Sequence, residues 1–245
     1  MSGRALFAVA PYLAALSLLA GLLLRDRLAH RHGRLGPDRL RTALALFGGG
    51  RAWRVGLAGT GAGHVLLLAA PRRVLAWNQD PARLLALEAA LFLCGAAALA
   101  GLCGLLRRHF RDPELREAAS PADAAVLGLL LASMLSGAGV ALLYRWASSW
   151  SAVTLAPYAQ SVLRLRPGLQ LMEALPYLVQ LHVATAIAAA ALLPLSHLAD
   201  LLLVPLHQGA SVLFAPAAAL LRWSARLELR ARRGAQSLLW SEDED

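Results

Sequence analysis

A series of apolar runs, each about as long as a bilayer is thick, constrains this chain more than any other feature. Residues 5–24, 53–74, 84–106, 122–144 and 175–204 are dominated by Leu, Ala and Val, and roughly 18–20 such residues in a helix cross the hydrocarbon core. In lipid every backbone N–H and C=O must bond within the protein, so only helices or closed barrels span it. None of these runs alternates polar and apolar residues as barrel strands do. The reading is therefore an all-α, polytopic transmembrane bundle of five helices. With 58% hydrophobic and only 16% charged residues, against about 25% charged in soluble domains, a soluble enzyme, a secreted disulfide scaffold and a disordered chain are excluded.

The first run is too long for a signal-peptide core and is followed by Arg25 and Arg27 with no small-residue cleavage site, so it reads as a retained span. The net charge of +9 is carried entirely by arginine. With the N-terminus outside, seventeen of the 24 arginines fall on inner segments, at 25–54, 107–116 and 222–233. The positive-inside rule thus places the N-terminus outside and the C-terminus inside. That rule explains the basic charge without nucleic acid. Trp53 then marks the inner interface, and Trp77, Trp146 and Trp150 the outer one. Residues 1–207 read as the membrane domain. Residues 208–245 mix Leu220, Trp223, Leu227 and Leu229 with five arginines before an acidic end, a cytoplasmic amphipathic segment suited to a membrane surface or a partner. Cys94 and Cys103 lack zinc-site spacing and read as buried thiols.

Polar residues within the spans are few and expensive, which makes them informative. His64 in the second run and His182 in the fifth lie at similar depth in the outer half of the bilayer. Two neutral imidazoles at one depth on different helices suit the axial positions of a six-coordinate b-type haem. Two histidines each hydrogen-bonded to a backbone carbonyl fit the same spacing. The second run also carries Gly56, Gly59, Gly61 and Gly63, which would let helices approach closely or admit a flat group against the backbone.

Several stretches occur together in a recognisable order: Pro11-Tyr-Leu-Ala, Gly63-His64 with Pro71, Arg107-Arg108 through Asp112-Pro113, Ala122-Asp123-Ala124, Ala159-Gln160-Ser161-Val162, and Leu181-His182 through Pro194-Leu195-Ser196 to Val204-Pro205. In these the chain resembles the gamma subunit of respiratory nitrate reductase, a five-span membrane cytochrome b. The resemblance implies a subunit that oxidises quinol and passes electrons to a cytoplasmic Fe–S subunit and a molybdenum catalytic subunit, in the plasma membrane. It implies haem b held at an outer site by His64 and His182. The family's inner-haem histidines fall here on Arg54 and Asp200, neither of which ligates haem iron as imidazole does, so one haem is expected. The family's quinol contact at the start of the third span has Arg83 as its counterpart, which would equally serve as an interfacial anchor beside Trp77.

Asp200 lies eighteen residues beyond His182, five turns and about 27 Å along one face of a continuous helix. A buried carboxylate needs a partner, and an Arg54–Asp200 ion pair across the vacated inner site would supply one. Another inner arginine would do the same. His197 is expected to be oriented by Asp200 rather than to bind iron, and His30, His32, His109 and His207 to be solvated. Arg107, Arg108 and Arg116 would suit haem propionates or an anionic partner surface, although the inside rule already accounts for them. A redox-silent membrane anchor for a cytoplasmic oxidoreductase is the alternative to an electron-transfer subunit. A related quinone-linked cytochrome of sulfur or heterodisulfide metabolism would differ only in its partner.

Overall fold

The computed structural model describes residues 3–31, 37–201 and 203. The chain divides into Met1–Leu201 and Leu202–Asp245. The expected amphipathic segment lies outside the described residues. Among those residues every element is helical: α1 (Gly3–Arg31), α2 (Pro37–Phe47), α3 (Arg51–Ala69), α4 (Pro71–Trp77), α5 (Pro81–Arg111), α6 (Pro113–Ala118), α7 (Pro121–Leu143), α8 (Ala147–Val153), α9 (Leu155–Leu163), α10 (Leu169–Glu173) and α11 (Tyr177–Leu192), followed by a 3₁₀ turn at Leu193–Leu195.

Helix boundaries follow from prolines and caps. Pro71, Pro81, Pro113 and Pro121 each sit in the first turn of their helices, where a missing N–H costs nothing. Asp80 and Asp112 cap α5 and α6 through backbone N–H groups, and Ser120 with Asp123 forms a reciprocal capping box on α7, so the free donors of each first turn are satisfied.

Among the described residues, four helical segments are long and apolar enough to cross a membrane: Arg4–Leu28, Pro81–Arg111, Pro121–Leu143 and Tyr177–Leu195. Two of the expected runs end earlier than the sequence suggests. α3 has 19 residues, but Arg54, His64 and four glycines hold its hydropathy below that of the other four. The run through residue 74 also breaks at Ala70, whose backbone leaves the helical region before Pro71. The last run is discontinuous too. Pro194 cannot donate an N–H and its ring crowds the preceding turn, so α11 ends at Leu192 and passes through the 3₁₀ turn to extended backbone at Ser196. The single face joining His182 to Asp200 therefore does not exist.

α3 packs along α5, α5 against α7, α7 against α11, and α11 against α1. The closest approach is between α3 and α5. A Cβ on Gly56 would lie 2.3 Å from the Ala98 backbone nitrogen, and one on Gly101 would lie 2.5 Å from Trp53 backbone atoms. Gly59 faces Cys94 and Gly63 faces Leu91. The two helices are therefore antiparallel, and three of the four glycines serve close packing. Leu46, Phe47, Trp53, Leu102, Leu105, Val126 and Leu127 form the apolar core at one end. Trp53 is 2% exposed and donates to the Phe47 carbonyl, so it is a core residue and not an interfacial marker. At the opposite end Phe7, Tyr158 and Met172 pack together. The Tyr158 hydroxyl donates to the Phe7 carbonyl, and burial beside Tyr12 pushes its pKa up to about 12. Outward-facing Leu13, Leu16, Leu19 and Leu23 of α1 are exposed, an apolar stripe that lipid would cover. Cys103 is likewise exposed, against the expectation of a buried thiol.

Candidate haem site

His64 lies on α3 and His182 on α11, two helices that do not pack along one another among the described residues. Their side chains close the gap: the ring centroids are 5.9 Å apart and the ring planes are inclined by 38°. A metal about 2 Å from one nitrogen of each of two imidazoles puts their centroids about 6 Å apart. The observed separation matches that requirement.

Each ring is also oriented through its other nitrogen. His64 Nδ1 donates to the Thr60 carbonyl at 2.8 Å, one turn back on α3. His182 Nδ1 donates to the Ser133 carbonyl of α7 at 2.8 Å, with the Ser136 hydroxyl 3.4 Å away. An imidazole whose Nδ1 carries the proton presents Nε2 as its lone pair. Metal-binding histidines are commonly fixed in this way by a carbonyl on the far nitrogen. The two readings of the histidines thus coexist: both rings bond to carbonyls, and both keep a ligating nitrogen.

The surroundings fit a flat macrocycle. A Cβ on Gly61 would meet nothing within 4 Å, so the face of α3 one turn from His64 is open. Gly137 allows α7 to approach the His182 ring, which an added Cβ would contact at 2.9 Å. The Thr60 hydroxyl is buried without a hydrogen-bond partner, an orphan polar group that an added ligand would satisfy.

The other predicted site residues do not join this cluster. Arg83 is exposed, its guanidinium 5.4 Å from the Trp77 ring centre, while the Trp77 indole donates to the Arg83 carbonyl. Arg54 is exposed and makes no ion pair with Asp200. Asp200, only 1% exposed, is instead held by Arg25 of α1, with Nε–Oδ1 at 3.1 Å and Nη2–Oδ2 at 2.8 Å. Arg39 approaches to 3.9 Å. Arg25 Nη1 also donates to the carbonyls of Pro194 and Ser196, both at 2.8 Å. The proline break frees those carbonyls, and one guanidinium serves them and the carboxylate together.

His197 bonds to a different carboxylate from the one expected. Its Nδ1 and backbone N–H both reach Asp123 of α7, each at 2.7 Å, because the chain turns at residues 196–197 instead of continuing as helix. His109 is buried, with Nδ1 on the Leu105 carbonyl and Nε2 unpartnered, and not solvated. Only its position after two arginines suggested a loop; its place on the core face of α5, one turn past Leu105, was the overlooked signal.

Fold and candidate site together give an all-helical protein with membrane-length apolar helices and two imidazoles, contributed by separate helices, whose ring centres lie 5.9 Å apart. Residues 3–210 match the family model described as nitrate reductase gamma subunit. The chain is 28% identical over 214 residues to the nitrate reductase gamma chain of Bacillus subtilis (strain 168), covering 84% of this chain and 94% of that one. The protein belongs to the nitrate reductase gamma subunit family, the membrane cytochrome b subunits of nitrate reductase.

Proposed function

We propose that this subunit binds a single haem b between His64 and His182, oxidises quinol in the plasma membrane, and delivers electrons to a cytoplasmic Fe–S subunit serving a molybdenum nitrate reductase. The observation that carries this reading is the pair of carbonyl-anchored imidazoles 5.9 Å apart. His64 and His182 would hold the iron by Nε2, and the bound haem supplies reversible one-electron chemistry at a potential tuned by its ligands and their hydrogen bonds. The chain's own part is to fix both rings, exclude water from the bundle and leave the face beside Gly61 open.

The positions that match the family's inner-haem histidines carry Arg54 and Asp200 here. Asp200 is fully engaged by Arg25 and approached by Arg39, and Arg54 is exposed. The Arg25–Asp200 contact then ties that end of the bundle together as a polar staple, and on this reading the one haem is the subunit's electron donor to the partner. A reduced-minus-oxidised spectrum with haem quantification tests this. One b-type haem per chain is expected, absent in His182→Ala. Two haems would refute the single site, and none would leave the membrane-anchor role.

A further inference from the structure

Apart from the histidine pair, the most developed polar cluster lies where α4, α5 and α8 meet. Glu88, half-buried on α5, accepts through Oε1 from the Ser148 backbone N–H at 2.7 Å and from the Ser148 hydroxyl at 2.6 Å. Asn78, just after α4, donates through Nδ2 to the hydroxyl oxygens of Ser148 and Ser149, both at 2.9 Å. These directions are forced. Ser148 gives its only hydroxyl proton to Glu88, so it must accept from Asn78, which puts the amide nitrogen there.

The bonding leaves three groups free. Glu88 Oε2 makes no hydrogen bond and is not sealed off. Asn78 Oδ1 is buried without a partner. Ser149, which accepts from Asn78, keeps its own hydroxyl proton to donate. A buried acceptor left bare is costly, so this cluster is built for something that brings hydroxyl groups. An exposed Leu85 lies one turn from Glu88 on α5 and offers an apolar surface continuous with lipid.

The cluster also lies near the level of His64 along the bundle. Gly63, beside His64, meets Leu91 of the antiparallel α5, and Glu88 is three residues before Leu91, about 4.5 Å further along that axis. We infer that Glu88 is the proton acceptor for the hydroquinone head group, which docks on Glu88, Asn78 and Ser149. This rests on the quinol-oxidising reading above. The hydroquinone hydroxyl donates to Glu88 Oε2, and its oxygen accepts from Ser149. On oxidation both O–H bonds break and both C–O bonds become carbonyls. One proton goes to Glu88 and the other to water at this end of the bundle, while the two electrons leave singly to a b-type haem as acceptor.

The test uses membranes containing the assembled, haem-loaded protein and the fluorescent quinol analogue heptyl-hydroxyquinoline N-oxide as the binding probe. Glu88→Gln should leave the haem spectrum intact, weaken probe binding roughly tenfold as one hydrogen bond is lost, and slow quinol oxidation at saturating substrate about a hundredfold, the usual scale of a lost general base. Glu88→Asp should recover part of that loss. Ser149→Ala, which removes one hydroxyl, should weaken probe binding and raise KM roughly three- to tenfold, the scale of one hydrogen bond. Unchanged turnover in Glu88→Gln or unchanged probe affinity in Ser149→Ala, with wild type binding and oxidising quinol, overturns this inference alone. Failure of the wild type to bind the probe or oxidise any quinol overturns the quinol-oxidising reading and this inference with it.

Discussion

Removing the Arg25 side chain isolates the most heavily committed charge in the bundle. Asp200 is 1% exposed and loses both of its short contacts in Arg25→Ala, at 3.1 and 2.8 Å. Arg39 remains, but at 3.9 Å and partly exposed it is a poor replacement. The carbonyls of Pro194 and Ser196 lose their donor as well. Breaking a buried ion pair from one side costs about 3–5 kcal/mol, most of it the penalty of an uncompensated charge. Two unsatisfied carbonyls push Arg25→Ala toward the upper end of that range. Arg25→Ala/Asp200→Ala should then be less damaging than the sum of its parts, with a coupling of about 2 kcal/mol. Reversible denaturation in mixed detergent micelles, followed by helical circular dichroism, measures all three variants. A cost below about 1 kcal/mol for Arg25→Ala, or strict additivity in the cycle, would show that Arg25 and Asp200 do not depend on one another and that the staple argument fails.

Three further outcomes are expected. His197→Ala should leave the haem band intact while lowering stability by about 1–3 kcal/mol, because buried Asp123 loses its ring partner; loss of the band would make His197 a ligand. Gly56→Ala drives a methyl into the Ala98 backbone at 2.3 Å and should cost about 1–3 kcal/mol by overpacking, whereas Gly61→Ala, with open space around it, should fold normally in thermal-shift measurements. Glu173 is held below the usual carboxylate range by its hydrogen bond to Arg4. A carboxylate lowered on folding stabilises the fold above its unfolded pKa and loses that contribution as pH falls through the folded one. Acid destabilisation should therefore be weaker in Glu173→Gln, as followed by melting temperature against pH.

Much of the site was legible without coordinates. His64 and His182 stand out because an imidazole in a run such as Gly-Ala-Gly-His-Val-Leu-Leu-Leu has few reasons to be there, and their similar depth was countable from the ends of two apolar runs. Asp200 was equally visible as a charge that must be neutralised. Which arginine would neutralise it was not, because eight arginines lie at residues 25–54 and helical periodicity says nothing about which helix packs beside α11. The Arg54 assignment failed for this reason, and because the helix needed to carry it stops at Pro194. His197 took Asp123 over the nearer Asp200 once the turn at residues 196–197 redirected its backbone N–H.

By itself the amino-acid order determined the solvent this chain folds in, its helical class, its family and the two imidazoles, since hydropathy, proline placement and rare polar residues are local properties. Tertiary structure decided the partners: three glycines of α3 spent on α5 while Gly61 stays open, Arg25 drawn to a proline-broken helix end, and Glu88 with one oxygen bound and one free. A hydrogen bond or ion pair depends on separations of an ångström or less between atoms distant in the chain, and only the packing of helices sets those.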